Sequence, residues 1–195
     1  MSSRTTAIVI LALLAAAAPL SAGSLKGTVK APGGRGAAGA VVYVGQIPGK
    51  TFPPPAAHAK VDQKGMVFLP HVQAVLVGTT VDFLNSDPVL HNVFSPDKCA
   101  EKFNLGSWPQ GQIRSYTFKQ PCVATLLCNV HPEMEAFVVA VPTPYFAVTA
   151  KDGSYAIAEL PDGAYTVKAW HPKLKEASRA LTVTGATTAD FELKK

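Results

Sequence analysis

Charge is scarce in this 195-residue chain. Asp, Glu, Lys and Arg together make up 16%, against roughly a quarter of an average globular domain. A disordered, self-repelling tail is thereby excluded. The 18 basic residues outnumber the 13 acidic ones, but they are scattered, and no window forms the basic stripe of a nucleic-acid binder. Cysteine is limited to three residues and histidine to five. That excludes a zinc module built from paired C-x2–4-C ligands and a site needing many imidazoles. Helical periodicity is missing beyond the N-terminal segment. The longest uninterrupted apolar run, Ala7 to Ala18, has twelve residues and no charge, short of the roughly 20 that span a bilayer as a helix. A large catalytic α/β fold is not expected at this length, which suits one ordinary domain or two small ones.

What is present is apolar and rich in turn formers: 48% hydrophobic residues, 15 Gly and 16 Pro. The N-terminus joins Arg4, the run Ala7–Ala18, Pro19 and the small residues Ser21, Ala22 and Gly23. This is the pattern of a secretory signal peptide, predicted over residues 1–22 with cleavage after Ala22 or Gly23. No cysteine stands at the junction, which argues against a lipid anchor. The mature chain is therefore expected to be periplasmic or otherwise extracytoplasmic, with no stable membrane span after signal removal.

The rest reads as all-β. Runs with period-two or β-branched character recur between turn residues, among them Gly65–Leu69, Ala74–Val77, Thr80–Leu84, His91–Phe94, Val123–Asn129, Ala136–Val141 and Thr188–Leu193. A short helical turn is expected near Pro96–Lys102. Lys151-Asp152-Gly153 and Pro161-Asp162-Gly163 are strong turn signals. Two proline-rich joints, Pro53-Pro54-Pro55 and Pro142-Thr143-Pro144, mark places where sheets end. The segment 24–51 offers only two strands, and a lone hairpin is marginal in water. The five strand runs after residue 142 would bring the number to seven, enough for a small sandwich; the alternative is that 24–51 belongs to the middle domain and the C-terminal strands stand alone. The predicted organisation is a small sandwich, discontinuous over 24–51 and 142–195, with a second sandwich over 56–141 inserted. The outer stretches GTVKAPGGRGAAGAVVYV and AVTAKDGSYAIAELPDGAYTVKAWHP resemble the carboxypeptidase regulatory-like (transthyretin-like) β-sandwich family.

The middle segment carries the chemistry. Cys128-Asn129-Val130-His131-Pro132-Glu133-Met134 is a Cys-x2-His-x2-Met loop between two apolar runs, and His91 lies far upstream in Asn85-Ser86-Asp87-Pro88-Val89-Leu90-His91-Asn92. One thiolate, two imidazoles and one thioether are the donors of a mononuclear blue-copper site, with Cys and two His in a plane and a long axial Met. Methionine is a poor zinc ligand, no second loop cysteine is present for a binuclear centre, and a Cys–His hydrolase lacks an evident orienting carboxylate.

The stretch from Phe68-Leu69-Pro70 through Val77-Gly78-Thr79-Thr80-Val81-Asp82-Phe83-Leu84-Asn85 to His91-Asn92-Val93-Phe94, with that loop, resembles the cupredoxin family, in particular its plastocyanin- and amicyanin-like members. The loop has the short amicyanin-type spacing. The resemblance spans about residues 66–141. It implies a Greek-key β-sandwich holding one type 1 copper ion, with His91, Cys128, His131 and Met134 as metal ligands. It also implies that Asn92 supports the ligand-bearing strand and the cysteine loop. Once Cys128 is assigned to copper, Cys99 and Cys122 remain to form a disulfide, the default for spare cysteines in an oxidising compartment. Pro88, Val89, Leu90, Val130 and Pro132 flank the two histidines and would form an apolar docking collar for a redox partner protein. The expected function is single-electron transfer and not an enzymatic one. The alternative is a copper-binding or scaffold module that delivers copper or docks a partner protein or glycan.

Overall fold

The computed structural model describes residues 22–195. The expected signal segment lies outside them, apart from Ala22, where the first strand begins. The expected cleavage after Ala22 or Gly23 thus falls at residues that pair with Pro161 and Leu160.

The described chain is all-β. In order, the strands are β1 (Ala22–Lys30), β2 (Val41–Val44), β3 (Ala59–Gln63), β4 (Phe68–Leu69), β5 (Val72–Leu76), β6 (Thr80–Asn85), β7 (His91–Phe94), β8 (Asn104–Trp108) and β9 (Ile113–Thr117). They continue as β10 (Cys122–Leu127), β11 (Glu135–Val141), β12 (Phe146–Val148), β13 (Ser154–Pro161), β14 (Gly163–His171), β15 (Leu174–Val183), β16 (Ala186–Thr188) and β17 (Phe191–Glu192). A single 3-10 turn, Lys98–Ala100, occupies the place where a helical turn was expected.

Among the described residues, strands β3 to β11 pair only with one another. They form a five-stranded sheet, β5-β11-β10-β7-β8, and a four-stranded sheet, β4-β3-β6-β9. Val61, Phe83, Trp108, Leu126 and Val138 pack between these sheets as one core. Strands β1 and β2 pair instead with strands that follow residue 145: β1 with β13, β16 and β17, and β2 with β12 and β14. Leu25, Val29, Val42, Ile157, Val167 and Phe191 fill the core of this second sandwich. Its two sequence-distant parts meet backbone to backbone at Gly36 and Asp152–Gly153, where a Cβ on Gly36 would collide with the Asp152 carbonyl.

A third cluster, Val41, Val72, Ala74, Phe137, Val139 and Val141, joins the two sandwiches, with Trp170 and Phe146 against it. Strand β11 explains how. Ala136, Val138 and Ala140 point into the first core, while Phe137, Val139 and Val141 point outward into the joining layer. A strand buried on both faces reads as continuous apolar sequence, as Ala136–Val141 does.

Two strand readings need correction. The expected strand Gly65–Leu69 shortens to Phe68–Leu69, because Gly65 (φ 68°) and Met66 (φ 63°) form a left-handed turn that no strand accommodates. The expected strand Thr188–Leu193 is divided at Ala189–Asp190, where the Asp190 carboxylate accepts the Thr28 amide at 2.7 Å.

Candidate metal centre

The site forms at one end of the first sandwich, from β7 and the β10–β11 loop. His91 opens β7 and is fully buried. Cys128 follows the last residue of β10 and is 3% exposed. His131 lies in the loop, partly buried. Met134 closes the loop before β11, with its amide donating to the His131 carbonyl at 3.0 Å, and is 1% exposed.

His91, Cys128 and His131 form a group able to hold a metal ion. The Cys128 Sγ lies 4.0 Å from His91 Nδ1 and 3.9 Å from His131 Nδ1, and the two Nδ1 atoms are 3.0 Å apart. The point equidistant from these three atoms lies about 2.1 Å from each, which follows from the triangle's sides and falls within the roughly 2.0–2.3 Å range of imidazole and thiolate bonds to a comparable ion, zinc. Three donors therefore converge at bonding distance from one centre, and a soft sulfur with two imidazoles suits copper.

The groups around the donors fix them. His91 Nε2 is 2.9 Å from Asp87 Oδ2. A carboxylate only accepts, so Nε2 carries the proton and Nδ1 keeps the lone pair turned toward Cys128 and His131. Asp87 also accepts the Gly65 amide at 2.7 Å and the Met66 amide at 3.0 Å. Burial pushes its carboxyl up, but the Met66 and Gly65 amides and His91 outweigh this and hold it below the ordinary aspartate value. Asn92 ties three parts together. Its amide N–H points at Cys128 Sγ at 3.4 Å, its Oδ1 accepts the Asn129 amide at 3.4 Å, and its Nδ2 donates to Asn104 Oδ1 and the Gly106 carbonyl. Asn85 Nδ2 donates to the Val89 and Trp108 carbonyls, shaping the loop that leads into His91.

Cys99 and Cys122 are joined by a disulfide, with Cα atoms 5.5 Å apart, at the opposite end of β10 from Cys128. Cys128 is free. Val89, Leu90 and Val130 are 41%, 53% and 45% exposed, and Pro88 and Pro132 are exposed beside them. Sequence reasoning did not single out Met66, Val67 and Leu69, which are exposed as well. Val67 and Leu69 line a groove of about 420 Å³ with Glu133 and Met134. Asp87 was also overlooked. The signal available for it was an acid four residues before a candidate ligand, in a segment that reads equally well as a solvated turn. His58 sits outside the site and contacts Asp82 at 2.9 Å. His71 packs edge-on to Phe137, and the His171 Nδ1 accepts the Lys173 amide.

No family model and no curated protein matches the chain. Among solved structures it is similar to a purple cupredoxin from Nitrosopumilus maritimus, at 25% identity over 42% of this chain and 98% of that one, with a TM-score of 0.39. It is similar to a reduced amicyanin variant at 25% identity over 44% and 84%, TM-score 0.42. It is similar also to a Cu-containing nitrite reductase from Thermus scotoductus at 24% identity, covering 51% of this chain but 25% of that one, TM-score 0.43.

Proposed function

We propose that this chain is an extracytoplasmic type 1 copper protein that carries single electrons between redox partners. The observation that carries the reading is the triangle of one thiolate sulfur and two imidazole nitrogens around a single centre. Copper held there would supply a one-electron couple. Cys128, the two Nδ1 atoms of His91 and His131, and the Met134 thioether would hold it, a donor set of soft sulfur and imidazole that suits copper. His91 is locked by Asp87 and Cys128 by Asn92, so the donors keep their places whichever charge the ion carries.

His131 is the more exposed of the two histidines and the exit for the electron. Pro88, Val89, Leu90, Val130 and Pro132 form the apolar surface that a redox partner would meet, close and briefly held, as transient redox encounters bury little area. Outer-sphere transfer needs no substrate on the metal, so no enzymatic step is assigned. We read residues 24–51 and 142–195 as one discontinuous sandwich, supported by their mutual strand pairing, with 56–141 as the copper domain. The N-terminal segment is read as its export signal.

Voltammetry of the copper-loaded protein tests this. A reversible one-electron wave is expected, and Met134→Gln should retain copper and shift the midpoint to lower potential. An unchanged midpoint would remove Met134 from the site. Irreversible behaviour, with copper passing to an added acceptor, would favour the delivery or scaffold reading.

A further inference from the structure

The Asp87 carboxylate joins two parts of the molecule that no strand pairing connects. Its Oδ2 faces His91 Nε2 at 2.9 Å and also accepts the Met66 amide at 3.0 Å, while Oδ1 accepts the Gly65 amide at 2.7 Å. Asp87 is itself fixed, because its amide donates to Asn85 Oδ1 at 2.9 Å. One buried carboxylate therefore holds the proton-bearing side of a candidate metal ligand and both amides of an exposed turn. That turn is unusual in backbone and in surface. Met66 takes a left-handed conformation that non-glycine residues seldom adopt. Met66, Val67 and Leu69 also present 38%, 48% and 47% of their surfaces to solvent.

We propose that Asp87 is the positioning residue for His91, and that through the Gly65 and Met66 amides it makes the 65–69 turn mechanically and electrostatically continuous with the metal site. Two consequences follow from the geometry. A carboxylate accepting from Nε2 holds the ring in one orientation and one tautomer, and raises the basicity of the opposite nitrogen. A more basic Nδ1 favours the more highly charged state of a bound ion. Removing the negative charge should therefore raise the reduction potential. Displacement of the turn by a contacting surface is transmitted to the shared Oδ2, and so to the ring of His91.

The inference rests on the copper reading, and Asp87→Asn tests it in the copper-loaded protein. The isosteric amide keeps one acceptor for His91 but loses the charge and leaves one turn amide facing a donor. The expected result is retained copper colour, a midpoint shifted to higher potential, and faster hydrogen exchange at the Gly65 and Met66 amides. Asp87→Glu, which restores the charge, should return the potential toward that of the parent. Ser86→Ala, which removes only a contact to Asp62, should leave it unmoved. An unchanged potential in Asp87→Asn, or a shift of equal size in Ser86→Ala, would overturn the proposal.

If Asp87→Asn does not fold, nitrogen-detected NMR of the unsubstituted metal-free protein decides. A slowly exchanging His91 Nε2 proton supports the assignment, and a ring protonated at Nδ1 alone overturns it. A protein that binds no copper but shows that proton would sink the copper reading while leaving the positioning role intact.

Discussion

At the scale of the residue, what mattered was whether a side chain's chemistry is rare. The cysteine and two histidines that the fold brings together, Cys128, His91 and His131, were legible in the sequence, because few structural roles demand that set. Asp87 was not, because a carboxylate after Asn85 in a Pro-containing segment reads as turn chemistry. Only the fold brings it to 2.9 Å from His91. Asn92 was picked out through a resemblance, and its contacts now give it a physical role. It is 1% exposed and uses both ends of its amide across β8 and the cysteine loop. Asn92→Ala removes three part-buried hydrogen bonds, to Asn104, Gly106 and Asn129, at a cost of about 1–3 kcal/mol in all. Denaturant unfolding of the metal-free protein measures it. A loss below about 0.5 kcal/mol, within the range of ordinary surface changes, would mean those contacts do not hold the loop.

At the scale of the element, strands with alternating or β-branched sequence were legible and those without were not. Strand β3, Ala59–Gln63, alternates short and polar residues around one buried valine, and β8 is interrupted by Gly106. Neither carries an apolar face long enough to stand out. Both acquire strand geometry from their neighbours, β3 from its parallel pairing with β6 and β8 from β7. Register on β6 also has an electrostatic component. Asp82 faces Ser115 across the β6–β9 pair. The Ser115 hydroxyl, donating at 2.6 Å, is the main cause that holds the Asp82 carboxyl below its ordinary value. His58 adds to this and burial opposes it.

A carboxyl depressed by folding binds protons more readily in the unfolded chain. It therefore contributes stability above the ordinary aspartate value near ~3.9, and that contribution disappears as pH falls through the folded value. The stability gap between the parent and Asp82→Asn should accordingly be constant at neutral pH and narrow as pH falls below about 4. Urea unfolding over a pH series reads this directly. A gap independent of pH would contradict the assignment.

At the scale of the whole molecule, an all-β chain in several sheets was legible, and so was the need of residues 24–51 for distant partners. The layer that joins the sandwiches was not. A run such as Ala136–Val141 shows that a strand is buried, but not that its two faces meet different cores. Phe137 is central to that layer, with its ring 5.5 Å from Trp170 and 5.6 Å from His71. Phe137→Ala should cost about 3–5 kcal/mol, the range for deleting a buried aromatic ring. Calorimetry would register it as a lowered transition that leaves the metal donors in place. A stability equal to that of the parent would mean that the joining layer contributes little and the sandwiches are held by their connections alone.

The central claim is that one sulfur and two nitrogens surround a single copper ion, and a visible absorption titration of the purified protein with Cu(II) tests it most directly. The account predicts an intense thiolate-to-copper band that grows linearly and stops at one equivalent, and that is absent in Cys128→Ser. A protein that stays colourless at one equivalent, or a band that persists without the Cys128 thiolate, would contradict it.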